Sequence, residues 1–237
     1  MTSALIGHLF AAHAQQQRSQ RYWSDYELTG YDEHTLPKYA SHDPVERSLR
    51  RQGFKMSRIA HIDVHSLSDE QKQLYYEIGA PRDGKVGGPF PIWLQANPDL
   101  ADRMNKVGEV LRVHGALEKR LFEIAVLCVA RYWKSNYQWS EHAALALRCG
   151  VSQATIDTIR DDRAPSISNE DERLVFGAAF ELLSVKRLSP ALYDVLLRVL
   201  GFRQLVELVT IVGQYSMAAI VMLGFEVEPA DGSRPLG

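Results

Sequence analysis

The stretch Leu121–Gly150, LFEIAVLCVARYWKSNYQWSEHAALALRCG, decides the fold class. Its apolar residues recur with helical period over Lys119–Trp133 and again over Asn136–Arg148. Only Lys134 and Ser135 separate the two segments. A connection that short makes successive helices antiparallel neighbours, so the stretch reads as a helical hairpin. Helical periodicity also marks Pro98–Val113, Gln153–Asp161, Asn169–Lys186, Pro190–Leu200 and Phe202–Leu223, and no alternating run is long enough to build a sheet. The expected fold class is all-α.

Two residues interrupt the hairpin's apolar faces. Glu123 precedes Val126, Leu127 and Ala130 at three, four and seven residues, so its carboxylate points where apolar side chains pack. A carboxylate there must be hydrogen-bonded, paired or protonated. Two readings stay open for it: a structural ion pair with Arg131 or Arg120, or a functional group. His142 lies one turn after Gln138 and Trp139 and one turn before Leu145 and Ala146, which turns it inward. A single inward histidine is most often a satisfied core residue. Glu123 and His142, however, can meet across the hairpin. Ser135 and Gln138 form an S-x-x-Q pattern at the second helix start, which predicts a capping box.

Outward from the hairpin, residues 1–55 are rich in Gln, Ser, His, Tyr and charge without a sustained period, and they read as an extension rather than a domain. The folded domain is expected to span 56–237, beginning with a helix over Ser68–Ile78 capped by Ser68 and Gln71. PRDGKVGGPFPIW, from Pro81 to Trp93, reads as a loop. Its Gly84-x-x-Gly87-Gly88 lacks the preceding strand and following Lys-Ser/Thr of a phosphate cradle. The segment FRQLVELVTIVGQYSMAAIVMLGF has about the length of a membrane span. Arg203, Gln204, Glu207, Gln214 and Tyr215 punctuate it, so a helix buried by its own bundle and by another subunit fits better than a membrane crossing. A homo-oligomer is expected, with no membrane partner.

The hydrophobic fraction of 46% and charged fraction of 24% fit a globular chain and exclude bulk disorder. A net charge of -2 leaves no basic footprint for nucleic acid, and the local run ERSLRRQGFK reads as solvated surface. Cys128 and Cys149 lie in apolar helical contexts, which fits a reducing, cytoplasmic compartment. The apolar ALIGHLFAAHA lacks a basic n-region, so a signal peptide is not expected. His61-x-x-x-His65 has no third ligand at a familiar interval and reads as a surface pair, and no metal is expected.

The segments GPFPIWL, RLFEIAVLCVARYW, SNYQWSEHAALALRCGVS and LVELVTIVGQYSMAA together resemble the carboxymuconolactone decarboxylase family, which includes alkylhydroperoxidase-like proteins. The resemblance covers roughly Met56–Phe225 and is most specific from Glu123 to His142. It implies an alkylhydroperoxidase-D-like helical bundle, commonly a trimer or hexamer. In the family's peroxidase branch a C-x-x-C pair opens the second helix, followed by a His and served by a Glu on the preceding helix. Here Ser135 and Gln138 stand at the thiol positions while Glu123 and His142 match. Serine and glutamine cannot reduce a peroxide, so the resemblance favours the decarboxylase branch.

That branch implies a cofactor-free lyase acting on a small unsaturated lactone or cyclic acid. Glu123 and His142 would then relay a proton, and Gln138 would hydrogen-bond the substrate or its developing oxyanion. Phe90, Trp93, Tyr137, Trp139 and Ser135 are the expected substrate-binding residues. The alternatives are a peroxidase using Cys149 or Cys128, or a non-catalytic oligomeric binding protein in which Glu123 and His142 form a structural pair.

Overall fold

The computed structural model describes residues 57–59, 62–161 and 167–237, so the expected extension 1–55 and His61 lie outside the described residues. Among the described residues there are eight α-helices and no strand. They are α1 (Asp69–Gly79), α2 (Phe90–Ala96), α3 (Pro98–Arg112), α4 (Lys119–Trp133), α5 (Asn136–Arg148), α6 (Gln153–Arg160), α7 (Glu170–Ser184) and α8 (Pro190–Gly224).

Helix α4 is the axis of the bundle. Every residue from Leu121 to Ala130 is buried, Glu123 included. A helix apolar nearly all round needs neighbours on each side. Helices α5, α6, α7 and α8 supply them. The main core joins Phe122, Ile124, Val126 and Leu127 of α4 to Trp139 of α5, Ile156 of α6, Val175 of α7 and Leu208 of α8. A smaller cluster, with Leu74, Ile78, Trp93, Leu94 and Ala101, is built by α1–α3 and rests against Met217 and Val221 of α8.

The capping box expected at Ser68 is present: Gln71 N–H donates to Ser68 Oγ at 3.2 Å, and Ser68 N–H donates to Gln71 Oε1 at 3.0 Å. Gln71 also donates to the Leu94 carbonyl at 3.1 Å, which ties α1 to α2. The stretch read as a loop through Trp93 instead contains α2, with Pro89 at its N-cap and Pro91 in its first turn. Proline is tolerated there because the first N–H groups of a helix lack intrahelical acceptors. The glycines ahead of α2 have a packing cause. A Cβ at Gly87 would collide with Tyr137 Oη, and Gly88 has φ +62°.

The two helical segments read at the C-terminal end are continuous in α8 except at Gly201, whose φ of 73° breaks the helical path. In one chain, α8 buries Leu205, Leu208, Ile211 and Ala219 while Phe202 stays 69% exposed and Val206, Val209 and Ile220 are also exposed. The helix is long and apolar enough to cross a membrane by length and composition alone. Past it, Leu236 is buried and its N–H donates to Asn136 Oδ1 at 3.0 Å, closing the tail over the start of α5.

Candidate functional site

The site begins with the turn between α4 and α5. Lys134 adopts the left-handed conformation at φ 53°, and Ser135 N–H donates to the Ala130 carbonyl at 2.9 Å, so the chain reverses within two residues. This lays α5 back along α4. Glu123 Oε2 and His142 Nδ1 come to 2.8 Å, with side-chain exposures of 9% and 14%. Neither alternative partner weighed for Glu123 pairs with it. Arg120 binds Glu172 at 2.7 Å and Glu118 at 3.2 Å, and Arg131 Nε is buried without a partner.

The capping box expected from Ser135 and Gln138 does not form. Ser135 is the N-cap residue, but its side chain makes no capping hydrogen bond. Gln138 is 2% exposed, and both its Nε2 and Oε1 lack a partner among the described residues. Leaving a buried amide unpaired costs on the order of 1–3 kcal/mol per group. The local S-x-x-Q pattern fails where residue 138 is buried in the bundle rather than left to fold its side chain back over its own helix end. Gln138 sits one turn ahead of His142 on the same face of α5.

Tyr215 of α8 completes the histidine's surroundings. Its ring meets His142 edge-on at 5.2 Å and Phe122 edge-on at 5.6 Å. Burial pushes its phenol far above the ordinary tyrosine range, and the Glu123 carboxylate adds to the effect, while the nearby Arg112 and Arg82 guanidinium groups oppose it. Tyr215 therefore stays protonated. The carboxylate, imidazole and phenol line up from α4 through α5 to α8.

The remaining expected residues divide between two places. Trp139 is 4% exposed inside the main core, where it packs rather than lining an opening. Phe90 and Trp93 meet edge-on at 5.4 Å within the smaller cluster, and Arg82 lies 4.7 Å above the Phe90 ring. Tyr137 is half-buried beneath Gly87 and Gly88, and burial with the Glu141 charge raises its phenol pKa. Cys149 caps the end of α5, and burial followed by the Glu123 charge pushes its thiol up, away from the thiolate that redox chemistry uses. An apolar groove of about 200 Å³ along α8, lined by Leu188, Tyr193, Phe202, Leu205, Val206, Val209 and Thr210, shares no residue with this site.

Sequence reasoning missed Tyr215, Arg82 and Arg112 as neighbours of the pair. Gly108, inside α3, is the signal that could have pointed to Arg112. A glycine in a helix interior costs about 1 kcal/mol relative to alanine. Here the Arg112 guanidinium lies over that position, its Nη2 3.4 Å from where a Cβ would stand.

No family model, curated protein or solved structure matches this chain.

Proposed function

We propose that the protein is a cofactor-free lyase of the carboxymuconolactone decarboxylase type, acting on a small unsaturated lactone or cyclic acid. The observation that carries this reading is the buried Glu123–His142 contact at 2.8 Å beside a buried, partnerless Gln138 amide. With Nδ1 donating to Glu123, His142 Nε2 is left to exchange a proton with a bound molecule. Departure of carbon dioxide sends the electron pair of the broken C–C bond into the conjugated carbonyl, forming a dienolate. Gln138 donates a hydrogen bond to that oxygen, and His142 protonates the carbon end. Tyr215 holds the imidazole edge and excludes water from it.

A peroxidase is the weaker alternative, since Ser135 and Gln138 stand where a thiol pair would be needed and the Cys149 thiol is raised rather than lowered. We further propose that the chain works in the cytoplasm as a homo-oligomer, a trimer or hexamer. The uncharged exposed stripe Phe202, Val206, Val209 and Ile220 on α8 supports self-association, because solitary soluble chains seldom expose apolar surface so contiguously.

The test is ultraviolet-monitored turnover of 4-carboxymuconolactone and related unsaturated lactones by the full chain and by His142→Ala. Turnover lost in a variant of unchanged helicity and oligomeric state supports the lyase. A folded native chain that leaves the whole panel untouched overturns it. A variant that loses stability while its turnover matches the native chain assigns the pair a structural role.

A further inference from the structure

Two arginines stand beside the site, and among the described residues neither has a carboxylate partner. Arg82, just past α1, donates through Nη1 to the Ile78 carbonyl and through Nη2 to Asn105 Oδ1 at 3.2 Å. Arg112, at the end of α3, donates through Nε to the Gly108 carbonyl at 3.1 Å. Asn105, Gly108 and Arg112 follow at three and seven residues and so share one face of α3. Arg82 reaches that face at Asn105, and Arg112 folds back over Gly108 toward it, so the two guanidinium groups converge within about one helical turn.

Both groups are half-buried, and no carboxylate forms an ion pair with either among the described residues. Glu109 lies near enough to act on Arg82 by charge but approaches His114 at 3.8 Å, and Glu123 is held by His142. Burial, and next the Arg112 charge, lower the Arg82 pKa to about 10. Like charges brought together in a partly desolvated place repel unless an anion joins them. Both also act electrostatically on Tyr215, whose ring touches His142.

We propose that Arg82 and Arg112 form a carboxylate-binding subsite of the His142 site, holding the acid group of a planar, ring-bearing substrate. The guanidinium fork matches a carboxylate in shape, and its remaining N–H donors are free to bind one. The Phe90 ring beneath Arg82 backs that guanidinium and helps hold it in place. The inference rests on reading Glu123, His142 and Gln138 as a small-molecule site and assigns the substrate its charge. It also supplies the group that a decarboxylating site needs to hold the departing carboxylate until the C–C bond breaks.

The experiment is calorimetric titration of the full chain with benzoate, against its neutral isostere benzamide and against inorganic phosphate. Benzoate is expected to bind at least tenfold more tightly than benzamide. Arg112→Gln should weaken it tenfold or more, and Arg112→Lys, which keeps the charge but loses the fork, should weaken it severalfold. Arg112 is the position to vary because, among the described residues, its side chain donates to its own helix, whereas Arg82 holds the end of α1. Protection of the unaltered chain by benzoate against phenylglyoxal, an arginine reagent, is the parallel measurement that needs no variant.

Benzoate binding is read without any turnover. The lyase reading can thus fail on turnover while the subsite stands. Benzoate binding no tighter than benzamide, an Arg112→Gln variant that binds like the native chain, a stronger response to phosphate than to benzoate, or absence of protection would each overturn the subsite.

Discussion

His142 Nδ1 stands 2.8 Å from Glu123 Oε2, across two helices joined by only Lys134 and Ser135. The contact gives a carboxylate within the wholly buried run Leu121–Ala130 its partner, and it fixes which imidazole nitrogen faces away from Glu123. Glu123→Gln keeps an acceptor for the Nδ1 proton but loses the carboxylate charge. Its thermal midpoint should stay within a few degrees of the native value, while turnover of the carboxylated lactone falls by about 10²–10⁴, the usual worth of general acid–base catalysis. Equal turnover in the two proteins would remove the relay.

Gln138 offers a test of opposite sign. Both its amide atoms are buried and unpaired, so Gln138→Leu exchanges two unsatisfied groups for an apolar side chain of similar size. Stability should rise by about 1 kcal/mol as turnover drops, because an unpaired buried polar group is a cost that function alone would retain. Chemical denaturation read beside kcat checks both halves of the expectation.

Gly87 has no room for a side chain, since a Cβ would collide with the Tyr137 hydroxyl. Gly87→Ala should cost about 1–3 kcal/mol through displacement of that ring or the loop above it. The Gly87→Ala, Tyr137→Phe double variant should recover part of the loss, which a double-mutant cycle measures.

Glu207 holds the loop between α3 and α4 to the middle of α8. Its Oε2 accepts from Ala116 N–H at 2.7 Å and Leu117 N–H at 2.9 Å, and Arg203 donates to its Oε1 at 3.1 Å. Burial alone would raise its pKa, but the two backbone donors and Arg203 outweigh burial and hold it below the ordinary 4.5. A carboxyl whose folded pKa is depressed contributes stability above its unfolded pKa and loses it as pH falls through the folded value. Glu207→Ala should therefore destabilise the chain at pH 7 by roughly 1–3 kcal/mol. The gap between variant and native chain should shrink below pH 4.5, which unfolding at stepped acid pH would show.

By itself the sequence determined the elements. Period and length in LFEIAVLCVARYW and NYQWSEHAALALR were enough to place α4 and α5 at their observed bounds, because an apolar repeat is a local property of consecutive residues. The Ser68 cap and the Gly201 break were legible for the same reason. Helix α2 was not, because prolines that signal a loop are equally at home in a first helical turn.

Tertiary structure alone decided what each polar side chain meets. S-x-x-Q is the same local signal at Ser68 and at Ser135, yet only the first closes into a capping box, while Gln138 is buried in the bundle. Nothing in one chain's spacing brings Arg82 to Asn105, Arg112 back over Gly108, or Tyr215 against His142, since these meetings involve three separate helices and a connecting turn. Periodicity tells a helix which side to bury. Which charges and rings then share that interior depends on the angles and order in which the helices pack.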